Sequence, residues 1–591
     1  MDDQNKNLIL ATALSFLVIL VWFILFPPPT APVEQTPVEQ LATLPQAPQA
    51  EIAAQTAAPL TQAAPRVKID TPELAGSISL IGGRIDDLSL KSYRETLDPQ
   101  SDLVRLFTPT GQDSAYYALY GYAPAGDLAA DAVPGPNTQW TLSQGVQLTP
   151  TSPVTLTWDN GAGLQFTRVI SVDEKFMFQI TQRVENVGAV PARMQPYGLV
   201  ARHGEPNTQK IWVLHEGLVQ MSDGKLQETK YKDMPDAEPM DLDGLPSEVI
   251  EVTDNGWIGF TDKYWMSALI PTPGSAFTAV SKYVPRADVY QTETRMPVVT
   301  VQPGEASTVT TLLFTGAKEW ETIRAYENDG ISGFVDSIDW GWFFFLTKPI
   351  FHILHWLNGV IGNMGLAIIG LTLLLKALLF PLAYKSYVSM ARMKELQPEM
   401  EALKERAGDD KQKLQMEMMK LYKEKKINPA AGCLPILPQI PIFFSLYKVI
   451  FVTIELRHAP FFGWIRDLSA PDPSSFFNLF GLFPWAVPDA GSMLATIFIG
   501  VLPILLGISM WLQQKLNPAP TDATQAMIFA WMPWVFMFML GNFASGLVIY
   551  WISNNMITFS QQYLIMRSHG HKPNVFGNIR ASVGRKKPAE K

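Results

Sequence analysis

The chain has 591 residues, of which 47% are hydrophobic, only 17% are charged and one is cysteine, Cys433. The charged share of soluble domains lies near ~25%, so this composition excludes a wholly soluble protein, and a single cysteine excludes an intramolecular disulfide. Residues 31–339 hold 21 Lys and Arg against 39 Asp and Glu, whereas the rest of the chain holds 25 against 16, which predicts an acidic domain outside a membrane and basic loops in the cytoplasm.

The first apolar segment covers residues 8–26, which are 19 residues without a charge. As a helix it would be about 28 Å long, enough to cross a hydrocarbon core of ~30 Å. A cleaved signal peptide is the alternative, but the apolar run is long for one and PPPT follows it. Residues 1–26 are therefore predicted to form an uncleaved signal anchor. Residues 27–65, with nine prolines, are predicted to be a linker.

Residues 66–339 read as short β-type runs, at 142–158, 164–172, 176–184, 298–301 and 308–314. Turn signals such as Asp159-Asn160-Gly161 and Pro303-Gly304 separate them. This pattern predicts a large antiparallel β-sandwich that ends in a helical stretch near 318–328. The sequence of this domain contains no metal cluster, nucleophile elbow or phosphate-binding loop, so a binding or scaffolding role is the preferred interpretation.

Residues 340–358 are rich in aromatic side chains but also contain Lys348, His352 and His355. The mixture predicts an amphipathic helix in the membrane interface. The two histidines are three residues apart and could share a metal ion, but no third ligand is near, and imidazoles at the headgroup level are the preferred interpretation. The next segment, 360–384, is predicted to be the second span, although it contains Lys376. A charge at that depth costs ~2.5 to 3.5 kcal/mol, which indicates a function in a wet cavity.

Residues 385–428 are densely charged and have a helical pattern with a break near Gly408, which predicts a cytoplasmic helical hairpin. A solvated loop is the alternative, and a docking surface is the functional interpretation. Its candidate docking cations are Arg392, Lys394, Lys404, Arg406, Lys411 and Lys413. Residues 433–454 are predicted to form the third span, and its prolines indicate a helix that borders a wet space or packs tightly. Lys448, near its outer end, is interpreted as an interfacial anchor.

The remaining spans follow a loop, 455–492, that is predicted to lie outside the membrane. Residues 493–512 are predicted to form the fourth span. Residues 523–566 contain no charge, and their length of 44 residues is about twice what one span needs, so they are divided into spans at 523–541 and 544–566. The basic tail, 567–591, is predicted to be cytoplasmic and attracted to anionic lipid or RNA. The prediction is six spans with both termini in the cytoplasm.

Lys376 is predicted to lie about 10 Å below the cytoplasmic boundary of the second span. Amide and hydroxyl side chains of the third and sixth spans could line a polar groove around it, and no carboxylate in the spans would neutralise it. An unpaired cation in such a groove would attract acidic or polar peptide segments, which is a property of a receptor. The predicted lining residues are Gln439, Ser445, Ser553, Asn554, Asn555, Thr558 and Gln561.

Several motifs after residue 340 resemble those of one protein family. They are Lys376 followed by Phe380-Pro381, the stretch 389–393 (SMARM), the run 428–443 (NPAAGCLPILPQIPIF), 464–469 (WIRDLS) and 545–551 (SGLVIYW). In this order they resemble the YidC/Oxa family of membrane protein insertases. The predicted anchor and large β domain resemble the Gram-negative bacterial form of that family.

The resemblance implies a core of five helices with a groove open to the cytoplasm, in the bacterial inner membrane, with the β domain in the periplasm. A nascent membrane protein would dock in the groove and its apolar helix would pass into lipid, alone or with the Sec translocon, without covalent chemistry or a cofactor. The implied partners are the ribosome, through the hairpin and the basic tail, the Sec translocon and anionic lipids, but not DNA. Many members have arginine at the position of Lys376. Lysine keeps the positive charge but lacks the guanidinium group, which can donate two hydrogen bonds to one carboxylate.

The resemblance also implies an apolar slide for the client helix. The positions that match it are Leu434, Pro435, Pro441, Phe443, Met537 and Met539. Methionine suits a surface that accepts many sequences, but ordinary core packing is an equally open interpretation for each residue.

Two other classes of function remain as alternatives. An intramembrane protease could use Lys376 as a base with Ser445, Ser545 or Ser553, but none of these serines has a recognisable nucleophile setting. A secondary transporter would normally show repeats or several intramembrane acids, and the sequence shows neither.

Overall fold

The computed structural model describes residues 64–570 except 113, 208–213, 242, 409, 426–435, 484, 486, 488–491, 493, 495–496 and 517–522. The predicted signal anchor, nearly all of the linker and the tail from residue 571 onward lie outside the described residues. Within the described part, the chain forms twenty strands followed by ten α-helices.

Two β-sheets build residues 66–317, here called the β-domain. The larger has eleven strands in the order β14-β17-β18-β11-β5-β3-β2-β1-β7, with β4 beside β3 and β19 beside β11. Its strands are β1 Arg66–Asp70, β2 Leu74–Ser79, β3 Arg84–Arg94, β4 Leu103–Phe107, β5 Tyr116–Ala125, β7 Gln147–Leu148, β11 Ala192–His203, β14 Ser247–Val252, β17 Phe277–Val284, β18 Val289–Arg295 and β19 Val299–Val301.

The smaller sheet has nine strands in the order β13-β12-β15-β16-β20-β10-β9-β8-β6. They are β6 Thr141–Gln144, β8 Val154–Asp159, β9 Leu164–Val172, β10 Met177–Asn186, β12 Gly217–Ser222, β13 Lys225–Lys230, β15 Gly256–Thr261, β16 Trp265–Pro271 and β20 Ala306–Ala317. The predicted two-sheet sandwich is therefore present. One pair departs from the antiparallel prediction, because β1 and the short β7 run parallel.

The alternation of residues along the strands explains the sandwich. In β9, Leu164, Phe166, Ile170 and Val172 are buried while the residues between them are partly or fully exposed, apart from the buried Arg168. A period of two places the apolar set on one face, where it meets the inner face of the other sheet. The resulting core is continuous through the whole β-domain.

The helices follow the β-domain in the chain. They are α1 Trp320–Asn328, α2 Phe344–Ile361, α3 Met364–Leu378, α4 Phe380–Glu395, α5 Gln397–Ala407, α6 Lys411–Glu424, α7 Ile436–Val452, α8 Val501–Gln514, α9 Ala523–Met539 and α10 Ser545–Ser568. Helices α2, α3, α7, α8 and α10 share a second apolar core that includes Ile368, Leu446, Leu506 and Leu547. Glycines allow close approach there: a Cβ at Gly365 would lie 2.1 Å from the ring of Phe461.

Among the described residues, no single helix is both long and apolar enough to cross a membrane, but α3 and α4 as far as Met393 meet those criteria as a bent pair. The two helices meet at an angle of 68°, whereas the sequence predicts one span at 360–384. Pro381 accounts for the break, because it has no N–H to donate to the carbonyl of Ala377 in a continuous helix. The bend therefore separates the segment that contains Lys376 from the charged hairpin.

Candidate functional site

Lys376 lies in the last turn of α3 and is half-buried. Its Nζ donates a hydrogen bond to Oε1 of Gln439 on α7 at 3.3 Å. The amide nitrogen of Gln439 in turn donates to the hydroxyl of Tyr550 on α10 at 2.6 Å. A chain of two hydrogen bonds thus joins three helices, and Lys376 forms no ion pair with any residue in the described ranges.

The other predicted lining residues lie on α7 and α10. Gln561 donates from Nε2 to the backbone carbonyl of Lys376 at 3.5 Å, whereas Asn555 donates instead to Ser509 on α8 at 3.0 Å. Ser445, Asn554, Asn555 and Thr558 are buried, while Gln439, Ser553 and Gln561 are half-buried. The structure therefore brings Lys376, Gln439 and Gln561 together and directs Asn555 toward a neighbouring helix.

Several buried polar atoms in this region have no hydrogen-bond partner among the described residues. They include Oγ of Ser445, Oδ1 of Asn554 and Oε1 of Gln561. Buried polar groups in proteins are nearly always paired with protein, water or ligand. These unpaired atoms on α7 and α10 are therefore candidate sites for bound water.

Of the six predicted slide residues, Leu434 and Pro435 lie outside the described residues. The other four differ in how much of the side chain is exposed. Met539 on α9 is 53% exposed, whereas Met537 is 9% exposed. Met537 packs against α8, where a Cβ at Gly507 would lie 3.0 Å from its sulfur. Phe443 and Pro441 are half-buried, and the ring of Phe443 lies 5.1 Å from that of Trp551.

Exposed apolar side chains on α7 and α9 are absent from the predicted set. They are Leu437, Ile440, Met527, Ile528, Phe529, Trp531, Trp534, Val535 and Phe538. These helices are apolar on every side, so no periodicity in the sequence identifies the exposed face. Tyr550 was also missed, although a tyrosine inside an apolar run needs a hydrogen-bond partner and could have been noticed for that reason.

The charged helices α5 and α6 pack against each other through Met400 and Leu421. Lys425 and Glu399 form an ion pair at 2.9 Å that joins the start of α5 to the end of α6. Of the six candidate docking cations, Arg392, Lys404, Arg406 and Lys413 are exposed, and the side chains of Lys394 and Lys411 lie outside the described residues.

Two family models match almost the whole described chain. The YidC periplasmic domain matches residues 66–353, and the 60Kd inner membrane protein family matches residues 356–572. The membrane protein insertase YidC of Dinoroseobacter shibae is 67% identical over 604 aligned residues, with 100% of both chains covered. The chain belongs to the YidC insertase family.

Other YidC proteins give the same result. The membrane protein insertase YidC of Cereibacter sphaeroides strain ATCC 17029 is 66% identical, over 100% of this chain and 97% of its own length. A solved structure of an active YidC insertase is 17% identical, covers 85% of this chain and 93% of that chain, and has a TM-score of 0.35. The family matches and the identities of the relatives identify the chain as a membrane protein insertase of the inner membrane with a periplasmic β-domain.

In this YidC-family insertase, an ion pair connects the periplasmic domain to the helices. Lys448 on α7 pairs with Asp339, and the two side chains are 6% and 11% exposed. Asp339 also accepts a hydrogen bond from the backbone N–H of His215 at 2.9 Å. The sequence interpretation of Lys448 as an interfacial anchor is therefore wrong: its ammonium is buried against a carboxylate of the chain itself.

The two histidines of α2 lie at the same junction of the insertase. His355 contacts the carboxylates of Glu455 at 2.9 Å and Glu321 at 3.2 Å, through different ring nitrogens. Nδ1 of His352 lies 2.7 Å from the backbone carbonyl of Lys348. Because each ring contacts a different partner, the two imidazoles do not share a ligand site.

Proposed function

We propose that the insertase receives the hydrophilic flank of a nascent membrane protein in a groove around Lys376 that is open to the cytoplasm. In this proposal six spans, with both termini in the cytoplasm, place a core of five helices around the groove. Supporting this arrangement, Gln439 on α7 lies nine residues before Lys448, about 14 Å farther from the periplasmic domain along the helix. The groove would therefore lie in the cytoplasmic half of the membrane.

The observation that carries the proposal is the absence of a carboxylate partner for Lys376 within the described residues, where Gln439 is its hydrogen-bond acceptor. A neutral amide leaves the charge of the ammonium available for an acidic or polar segment of a client. The unpartnered atoms of Ser445, Asn554 and Gln561 indicate bound water that such a segment could displace.

The energetics require no covalent chemistry. Burial of a client's apolar helix in lipid is favourable by ~0.8 kcal/mol per CH₂, so the barrier lies in the transfer of its polar flank. A hydrated groove would lower that barrier from the cytoplasmic side. The client helix would then leave along the exposed face of α9 near Met539 and along α7 near Pro441 and Phe443.

Three partners belong to the same proposal. The exposed cations Arg392, Lys404, Arg406 and Lys413 on α4 to α6 give the hairpin a basic surface that suits ribosomal RNA or anionic lipid. The Sec translocon would deliver some of the clients.

The protease alternative has less support, because Lys376 is hydrogen-bonded to an amide and to no serine of the described residues.

The charge of Lys376 can be tested with purified full-length protein in proteoliposomes. We expect Lys376→Met to reduce insertion of a client with an acidic flank about tenfold, because a screened charge pair is lost, and Lys376→Arg to retain most of the insertion. Protease protection of a labelled client measures the inserted fraction.

A client with a neutral flank and the variant Lys225→Met serve as controls. Lys225 is an exposed cation at the start of β13 in the β-domain, outside the groove. Insertion of the neutral client should respond less to Lys376→Met than insertion of the acidic client. Equal losses for both clients, or full activity of Lys376→Met with the acidic client, would contradict the electrostatic proposal.

A further inference from the structure

A cavity of about 1040 Å³ lies between the periplasmic domain and the helices. Lys263, Tyr264 and Trp265 of the β-domain line one side, and Tyr447 and Phe451 of α7 line another. The turn between α9 and α10 completes the wall with Asn542, Phe543 and Ala544. The cavity is separate from the groove, because Lys376 and Gln439 do not line it.

Lys263 is the unusual residue of this cavity. It is only 8% exposed, and its ammonium lies 3.7 Å from the ring centroid of Phe451 and 4.7 Å from that of Tyr264. Within the described residues it forms no ion pair. Burial lowers the pKa of Lys263 to about 8, although Asp467 and Glu216 act in the opposite direction. A buried cation over aromatic faces is costly unless an anion joins it.

A second cation of the cavity also has no carboxylate partner in the described ranges. Arg457 lies over Trp265, with 5.4 Å between the guanidinium carbon and the ring centroid, and it donates to the backbone carbonyl of Arg94. The other two arginines of the lining are paired, Arg202 with Asp262 at 2.8 Å and Arg105 with Asp87 at 3.0 Å. The two cations available to a ligand are therefore Lys263 and Arg457.

The position of the cavity indicates which anion could reach it. It lies where α7 ends, at Val452, and where α10 begins, at Ser545, on the side that faces the periplasmic domain. In the proposed arrangement of spans, on which this step rests, the lipid phosphates of the outer leaflet lie at this level, and aromatic side chains such as Tyr447 and Phe451 suit the boundary between headgroups and acyl chains. The lining is also balanced in charge, with the cations Arg105, Arg202, Lys263 and Arg457 and the carboxylates Glu95, Glu216, Asp262 and Asp467.

We propose that this cavity binds a zwitterionic phospholipid of the outer leaflet, with its phosphodiester between Lys263 and Arg457. The ammonium of an ethanolamine headgroup would face the carboxylates Asp467 and Glu216. The upper part of the acyl chains would lie along Tyr447, Phe451 and Phe543. Such a lipid would fill the space between the periplasmic domain and the helices and compensate both cations.

Native mass spectrometry of the detergent-purified full-length protein, titrated with phosphatidylethanolamine or phosphatidylglycerol, tests the proposal. We expect phosphatidylethanolamine to bind more tightly, and Lys263→Met to weaken that binding about tenfold, because charge-assisted hydrogen bonds to the phosphate are lost. Lys263→Arg, which keeps the positive charge, should retain most of the affinity of the unchanged protein. Lys348→Met is the matched control, since Lys348 pairs with Asp336 at the same boundary but does not line the cavity.

Thermal unfolding of each variant distinguishes a lost site from a lost fold, and Arg457→Met provides a second variant if Lys263→Met does not fold. Unchanged lipid affinity in folded Lys263→Met or Arg457→Met would overturn the site. Equal affinity for phosphatidylglycerol would overturn the assignment to a zwitterionic headgroup. Inorganic phosphate that binds as tightly as the lipid would overturn the assignment to a membrane source.

Discussion

Lys376 differs from an ordinary buried lysine because its hydrogen-bond acceptor is an amide. A lysine in an apolar helix costs ~2.5 to 3.5 kcal/mol, and a carboxylate partner would offset part of that cost by neutralising the charge of the ammonium. Gln439 instead holds the side chain at 3.3 Å without neutralising it. The arrangement orients the ammonium and leaves its charge available.

Gln439→Leu separates charge from hydrogen bonding at this site. The variant removes the acceptor of Lys376 and the donor to Tyr550 but keeps the cation that attracts the client. We therefore expect insertion of an acidic-flank client to fall only about 2- to 3-fold, a smaller loss than in Lys376→Met. The proteoliposome assay provides the measurement, with Lys376→Met beside it. A loss as large as that of Lys376→Met would show that the hydrogen-bonded chain, and not the charge, limits insertion.

At the scale of elements, α9 presents two faces with different surroundings. Its exposed face includes Trp531, Val535 and Met539, while Met537 is buried against Gly507 of α8. Small residues such as glycine allow helices in membranes to approach closely. One face of α9 therefore holds the bundle together, and the other is free to contact a client helix.

Photo-crosslinking tests which face of α9 meets the client. A photoreactive residue in place of Met539 should crosslink to a stalled nascent chain, whereas one in place of Met537 should crosslink within the bundle, because that side chain is only 9% exposed. Gel analysis of the adducts provides the readout. Equal client adducts at both positions would contradict the division of the helix.

The β-sandwich could be predicted from the sequence because the alternation of apolar and polar residues is visible within each strand. The predicted run 164–172 is strand β9, and 308–314 lies inside β20. The run 142–158 was less clear, since it contains β6, β7 and β8 with two turns between them. The exposed face of α9 could not be predicted, because a helix that is apolar on every side has no periodicity that distinguishes a buried face from an exposed one. The angle after α3 could not be predicted either, because a proline predicts that a helix is interrupted but not the angle between its two parts.

At the scale of the whole molecule, contacts between the periplasmic domain and the helices join residues that are far apart in the chain. Lys448 was misinterpreted because its partner, Asp339, lies 109 residues earlier in the chain, and spacing alone cannot reveal such a pair. Lys376 was predicted as a site residue because its sequence context is anomalous by itself. Features that depend on a distant partner, such as the Lys448 pair and the Gln439–Tyr550 bond, required the fold.

A double-mutant cycle measures the interaction free energy between Asp339 and Lys448. Asp339→Asn or Lys448→Met alone should each lower the free energy of unfolding by about 3 kcal/mol, because an uncompensated buried charge remains. The double variant should lose less than the sum of the single losses. Thermal unfolding in detergent gives the values, and additive losses would show that the pair is not coupled.

The Asp339–Lys448 pair has a practical consequence for shortened versions of the protein. Asp339 lies after the last strand of the β-domain, so an excision of the whole acidic region would remove it and leave a lysine without its counter-ion inside α7. A cut placed before Ser337 keeps the carboxylate with the helices. Loss of activity after the longer excision would therefore report on a damaged helix bundle as much as on the missing domain.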